Sequence, residues 1–527
     1  MARFKHYDYR QTKMLPVSFE RQILPGTFEH TLNELIDRQI DLTVFEERYH
    51  NDDTGAPAYD PAVLLKIILF AYARGITSSR EIEKLCRENV VFMALSADSQ
   101  PHFTTIAQFI ATLDQEITKI FRDVLLVCDE AGLIGKEMFA VDGVKLPSNA
   151  SKEWSGSQAD YSRKIEKMER AVRYLTERHR SVDAQGETAA VDSSRSRQIK
   201  TLEGAIEKVR GFLRRNEDKV GAQGRIKKSN VTDNESAKML SSQGVIQGYT
   251  AVATVDRKHQ IVVHAEAYGE GQEHGLLIPM LEATREHFRA TGMGKDVLAG
   301  AAVLADAGYC SEENAEYLSE QHIDGYVADP QFRKRDPRFI DAERHKPTRE
   351  SEPFAKPKRE LRFQTKDFKF AADRSHCICP AGKRLYRNGR HHDVQGYEAI
   401  RFRGNQRDCG RCALRAQCLR HPERTLTRQV ALFVGRAKGK PETHCARMKR
   451  KIDSELGRHR YSQRLGIVEP VFANIRSTHR LNRFSHRGRR KVTTQWRLFC
   501  LVHNIGKVHR YAKIDAESKR PSSRTAR

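Results

Sequence analysis

Apolar residues in this chain fall into two kinds of run. Up to about residue 135 they recur at helical spacing; beyond it, short unbroken apolar runs alternate with polar stretches. The clearest early helix is predicted over 61–74. It has Pro61 at its start and Gly75 just past its end, the boundary residues that helices prefer. A second is predicted from Ser78, which has Glu81 at capping-box spacing. A third follows Phe103-Thr104-Thr105-Ile106. Short helices joined by tight turns suit a helix-turn-helix-like DNA reader or a plain bundle used for dimerisation, and the pattern favours neither.

The later part reads differently. Residues 138–148 form a predicted strand. Two charged stretches of helical period follow, around 161–180 and 196–219, separated by the loop-like Gln185-Gly186-Glu187-Thr188. They predict a helical hairpin inserted into a sheet domain. Strands are predicted over 248–256 and 260–265, turning at Arg257-Lys258-His259. A helix over 275–291, a strand ending at Asp306 and a strand over 325–328 come next. This order predicts an α/β fold with a mixed sheet. Residues 331–375 read as irregular, 441–510 as helical, and 517–527 as a disordered Ser/Arg-rich tail. No internal repeat is visible.

Charge changes the picture. The 527 residues carry 92 Lys+Arg against 68 Asp+Glu, a net +24. Such an excess speaks of partners rather than fold. Basic runs such as Arg333-Lys334-Arg335 and Arg487-Gly488-Arg489-Arg490-Lys491 recur along the chain, and release of counterions from a polyanion would reward them. No apolar span is long enough to cross a bilayer, and Met1-Ala2-Arg3-Phe4-Lys5-His6 lacks the apolar core of a signal peptide. The expectation is a cytoplasmic, nucleoid-associated protein without membrane contact.

Three acids stand in informative settings. Asp142 and Asp306 each close an apolar run, where a strand would hand a carboxylate to a crevice. An Asp there can also be a turn-former. Glu469 has apolar neighbours and precedes Pro470, which a helix tolerates best in its first turn; it is therefore expected near a helix N-terminus. Arg476, seven residues on, shares its helical face. Carboxylates from two strands and a helix can hold a pair of hard divalent cations, an arrangement suited to phosphodiester chemistry.

Five of the ten cysteines lie at 377, 379, 409, 412 and 418. Cys409-Gly410-Arg411-Cys412 forms a knuckle that Cys379 and Cys418 would complete as four thiolates for tetrahedral zinc. Cys377 could stand in for Cys379, and idle thiols are the plainer alternative. The Arg residues around this cluster, including Arg401, Arg403 and Arg411, would touch DNA backbone. Three other features read as structural: His391-His392 as solvent-facing, Trp154 as packing at the root of the insertion, and Asp233 and Asp256 as caps or turns.

Taken together, these residues resemble the insertion-sequence DDE transposases of bacteria, and the resemblance runs almost end to end. The early segment from Gly55-Ala56-Pro57 through Gly75-Ile76-Thr77-Ser78-Ser79-Arg80 is similar to their N-terminal helical domain. So is Pro101-His102-Phe103-Thr104-Thr105-Ile106, although Asp-His-Ser is commoner there. Val141-Asp142-Gly143 and Leu304-Ala305-Asp306-Ala307-Gly308-Tyr309 are similar to the first two acidic motifs. Gly248-Tyr249 with Val255-Asp256 resembles the central hairpin. Tyr461-Ser462-Gln463-Arg464, Val468-Glu469-Pro470-Val471-Phe472 and Arg476 resemble the third. Here Arg464 and Glu469 stand one residue further apart than usual, and Arg476 replaces Lys.

The resemblance implies an RNase H-like mixed sheet with helices, preceded by an all-α domain and carrying a helical and a small zinc-ribbon-like insertion. The implied layout is a helical DNA-binding or dimerisation domain over 1–135 and a catalytic core over 136–150, 241–345 and 441–510. The helical insertion would span 151–240, the cysteine-rich insertion 346–440, and a basic tail 511–527. It implies Mg²⁺ or Mn²⁺ at Asp142, Asp306 and Glu469, and a structural Zn²⁺ at Cys379, Cys409, Cys412 and Cys418. Tyr461, Arg464 and Arg476 would grip DNA, and a homodimer would pair two terminal inverted repeats before strand transfer to target DNA. The rivals are a transposase-derived DNA-binding protein without catalysis and a stand-alone nuclease, which would need neither the helical region nor the cysteine insertion.

Overall fold

The computed structural model describes residues 16–49, 57–113, 115–183, 189–221, 224, 226–241, 244–294, 296–339, 362–389, 392–394, 397–436 and 441–512. The expected hairpin turn at 185–188, His391, residues 340–361 of the irregular stretch and the basic tail beyond residue 512 lie outside them. The chain divides into two compact units, residues 1–332 with 448–527, and residues 333–447.

The first unit opens with α1 (Phe28–Glu34), α2 (Pro61–Ala73), α3 (Ser79–Glu88), α4 (Val90–Leu95), α5 (Phe103–Thr112) and α6 (Gln115–Glu130). Their boundaries follow from local chemistry. The Asp60 carboxylate accepts the Ala62 N–H at 2.7 Å and Pro61 occupies the first turn of α2. Gly75 ends it at φ +73°, and a Cβ there would lie 2.8 Å from the Arg480 side chain. The expected capping box of α3 does not form. Ser78 is exposed and makes no side-chain cap bond, so this helix is anchored instead by buried Ile82 and Cys86.

The sheet combines β1 (Met138–Pro147), β2 (Ala237–Ser241), β3 (Gly244–Asp256), β4 (Val262–Tyr268), β5 (Ala302–Ala305) and β6 (Asp324–Val327). Its order is β6-β5-β1-β3-β2, with β4 also on β3. The β1–β3, β3–β4 and β2–β3 pairs are antiparallel; β1–β5 and β5–β6 are parallel. The expected mixed α/β sheet after a helical region is therefore present. The turn at Arg257-Lys258-His259 is also found, with Asp256 accepting the N–H groups of Gly135, Lys136 and Lys258. Between β1 and β2 runs the helical hairpin α7 (Gln158–Asp183) and α8 (Ala189–Arg215). It has its own small core of Tyr161, Met168, Ile206, Val209 and Phe212, with Trp154 packed at its root under the ammonium of Lys164 at 4.1 Å.

Between β4 and β5 lies α9 (Leu277–Ala290), and between β5 and β6 lies α10 (Glu312–Glu320). In the second unit, β7 (Lys369–Phe370), β8 (His376–Ile378), β9 (Arg384–Arg387), β10 (His392–Val394), β11 (Tyr397–Gly404) and β12 (Gln429–Arg436) form another sheet. Phe368, Cys377, Leu385, Ile400, Phe402 and Val430 make its core.

The chain then forms α11 (His444–Asp453), α12 (Glu455–Ala473) and α13 (Arg489–Tyr511). α13 joins the helical region to the sheet. Phe499 stacks on Tyr72 of α2 with centroids 4.5 Å apart, and the indole N–H of Trp496 donates to the Val252 carbonyl at 2.9 Å. The Asn504 amide pairs with both backbone groups of Val262. One apolar core runs continuously from the early helices through the sheet.

Candidate active site

The register of two parallel strands creates the site. Val141 of β1 lies opposite Ala305 of β5, so the next residues, Asp142 and Asp306, stand side by side where the strands part. Adjacent strands lie about 4.8 Å apart, which sets these two carboxylates on one edge. β1 runs on past Asp142, close to the strand expected over 138–148. It continues to Pro147, because β3 pairs with it along its length while β5 ends. Asp142 is thus mid-strand on one side and unpaired on the other.

Asp142 and Asp306 line a cleft of about 410 Å³ together with Lys145, Glu273, Arg476 and Asn482. An Asp142 oxygen accepts the Gly143 N–H at 2.8 Å, and the other pairs with the Arg464 guanidinium at 2.5 Å. Asp306 accepts the Gly308 N–H at 2.8 Å, capping a short helical turn. Burial pushes the Asp142 carboxyl up to about 6, with Asp306 adding to the rise and Arg464 opposing it.

Glu273 drew no attention in the sequence. It sits in the loop between β4 and α9, its side chain largely buried, with the Lys145 ammonium 3.7 Å away. Two glycines make room for it. A Cβ on Gly308 would lie 2.6 Å from one Glu273 oxygen and 3.0 Å from an Asp306 oxygen; one on Gly143 would lie 3.5 Å from the other Glu273 oxygen. Burial pushes the Glu273 carboxyl up to about 7, reinforced by Asp306 and Asp142 and opposed by Lys145. The only sequence signal was an acid among glycines after a strand, Gly269-Glu270-Gly271-Gln272-Glu273-His274-Gly275.

Glu469 is placed otherwise than its neighbours suggested. It lies four residues before the end of α12, not near its start, and it is exposed and does not line the cleft. Pro470 is held inside the helix because the carbonyl it leaves free, that of Gly466, accepts the Gln260 side-chain N–H at 3.0 Å. Ile467, Val468 and Val471 turn into the core. Arg464, on the buried side, reaches Asp142. Arg476, past the end of α12, lines the cleft, its buried Nε without a partner among the described residues. Tyr461 packs edge-on against Phe332.

In the second unit, Cys379, Cys409, Cys412 and Cys418 line one small cavity of about 30 Å³. Cys379 Sγ accepts the Lys383 N–H at 3.3 Å, and Gly382 turns the loop at φ +74°. Cys377 is buried in the sheet core instead. Among the described residues no group of three or more His, Cys, Asp or Glu is gathered closely enough to hold a metal ion as it stands.

Two family models match the chain. A transposase DDE domain matches residues 378–509, and the transposase domain DUF772 matches residues 17–112. The first match spans Glu469, Arg476 and the cysteine cavity; Asp142 and Asp306 lie outside both. No curated protein matches the chain.

Proposed function

We propose that this chain, which its two matches support as an insertion-sequence DDE transposase, binds the terminal inverted repeats of its element and cuts and joins DNA at the Asp142–Asp306 cleft. The observation that carries this reading is the β1–β5 register, which sets two carboxylates side by side at a cleft rimmed by arginine. The sheet, four strands joined by antiparallel pairs with two parallel strands beside β1, supports an RNase H-like core.

The donors fit hard cations. Carboxylate oxygens suit Mg²⁺ or Mn²⁺, and such ions, when bound, lower the barrier by activating the attacking oxygen and steadying the leaving one. Asp142 and Asp306 would hold them, with Glu469 as the third acid on the family pattern. Arg464 orients Asp142 through its ion pair. Arg476 offers an unpartnered buried N–H to a phosphate in the cleft, and a guanidinium there suits a nonbridging oxygen pair. Tyr461 steadies the segment that carries Arg464. Cys379, Cys409, Cys412 and Cys418 line one cavity, and a structural Zn²⁺ would have to draw these four thiolates together. Exposed Arg384, Tyr386, Arg401 and Arg403 on that sheet supply charge and a flat ring to a DNA backbone. Two element ends must be paired, so a homodimer on DNA follows from the reaction.

The test is Mg²⁺-dependent cleavage of a duplex carrying the element's terminal repeats, with wild type beside Asp306→Asn. Cleavage by wild type alone, with binding retained in both, supports the reading. Equal cleavage by both removes Asp306 from catalysis and overturns it. Binding without cleavage by either protein favours a transposase-derived DNA-binding protein.

A further inference from the structure

We propose that Glu273 is a cation ligand of the Asp142–Asp306 cleft, so that the loop between β4 and α9 supplies a carboxylate to the reaction. The inference rests on the functional reading above and adds a residue that reading does not contain.

Four observations carry it. Glu273 lines the same cleft as Asp142 and Asp306. One of its oxygens and one of Asp306 lie within 3.0 Å of a single point, the place a Cβ on Gly308 would fill. The two carboxylates thus converge over Gly308, and carboxylate oxygens are the ligands that hard cations take. Its other oxygen passes beside Gly143, next to Asp142. The fourth observation is Tyr309, the residue after Gly308. It is fully buried, its hydroxyl has no partner among the described residues, and the acids that bear on it most strongly are Glu273, Asp142 and Asp306.

The surroundings explain how the carboxylate is kept in place. The Lys145 ammonium stands 3.7 Å from Glu273, beyond hydrogen-bond reach but close enough to offset its charge. Lys145 therefore acts as the resident counterion. An arriving divalent cation would compete with it for Glu273. Glu469, by contrast, is exposed on α12 and lies outside the cleft lining.

The experiment is Mn²⁺ titration of the full chain by calorimetry, beside Mn²⁺-dependent cleavage of the terminal-repeat duplex, for wild type and variants. Glu273→Gln is expected to bind Mn²⁺ at least tenfold more weakly and to need correspondingly more Mn²⁺ to cleave, while its metal-free melting temperature stays at or above that of wild type. Lys145→Met is expected to bind Mn²⁺ severalfold more tightly. Glu273→Cys is expected to shift the preferred ion from Mg²⁺ towards Cd²⁺, a signature a purely structural residue would not give. Unchanged Mn²⁺ affinity and metal requirement in Glu273→Gln, with both lost in Asp306→Asn, overturns this inference and leaves the transposase reading standing. Weaker Mn²⁺ binding in Lys145→Met also overturns it. A wild type that neither binds Mn²⁺ nor cleaves removes both together.

Discussion

At the scale of single residues, the cleft is shaped as much by what is missing as by what is present. Gly308 follows Asp306 closely, and its bare Cα lets two carboxylates meet above it. Gly308→Ala would thrust a methyl into that space. The displaced groups are the ends of side chains, so the fold tolerates the change; the carboxylates must part. We expect unfolding free energy to change by less than about 1 kcal/mol, and cleavage to fall by about 100-fold, since a misplacement near 1 Å costs about that much. Denaturant titration and cleavage assays on the same preparation check both; full activity would show that the glycine has no part in shaping the site. Asp142 and Asp306 were legible in the sequence because each ends an apolar run, and the register that joins them needed only the strands to be parallel. Glu273 was not legible. A loop acid carries no periodic signal, and its neighbours in space, Lys145, Gly143 and Gly308, stand far from it along the chain.

At the scale of elements, apolar spacing marked the main helices and strands, because burial sets both periods. Helix 61–74 and the strands around the 257–259 turn appear nearly where the pattern put them. α12 shows where such reading stops. Pro470 pointed to a helix start, yet the helix begins fifteen residues earlier, with the Ser454 hydroxyl accepting the Gly457 N–H. The free Gly466 carbonyl finds a distant side chain, Gln260, and no local rule could supply that partner. Two glycines in α12 give a matched test. A Cβ on Gly457 would lie 2.0 Å from the Lys451 carbonyl oxygen, whereas one on Gly466 meets nothing within 4 Å. Gly457→Ala is expected to destabilise by about 1–3 kcal/mol through overpacking. Gly466→Ala is expected to stabilise by about 0.5–1 kcal/mol through helix propensity. Urea unfolding of both variants decides it, and equal shifts would mean that the backbone at Gly457 relaxes freely.

At the scale of the whole molecule, one polar chain crosses the core and ties its parts to a protonation state. The Asn474 amide nitrogen lies 3.0 Å from both His479 Nε2 and His503 Nδ1. An amide NH₂ only donates, so both ring nitrogens accept and both rings are neutral. Their other nitrogens then donate outward, His479 to the Ala73 carbonyl at the end of α2 and His503 to the Gln260 carbonyl beside the strand turn. A proton on either inner nitrogen would face the amide hydrogens and break the chain. Burial lowers both histidines, and His503 falls to about 3, with Lys507, His479 and Arg510 adding to the effect. Buried His264 and His287, in edge-on contact at 4.8 Å, are lowered for the same reason. The sign follows from linkage. An unfolded histidine takes its proton near pH 6.5, the folded one does not, so stability is full above 6.5 and is lost as pH falls below it. His503 alone contributes a slope of about 1.4 kcal/mol per pH unit in that window. Replacing it should lower stability at neutral pH, since its two bonds are lost, yet flatten the acid limb. We therefore expect wild type to lose unfolding free energy steeply from pH 6.5 to 5, and His503→Gln to lose it less steeply by about 1.4 kcal/mol per unit. Urea titrations at three pH values measure both slopes; parallel slopes would mean that His503 is protonated within the fold and that the chain through Asn474 runs the other way.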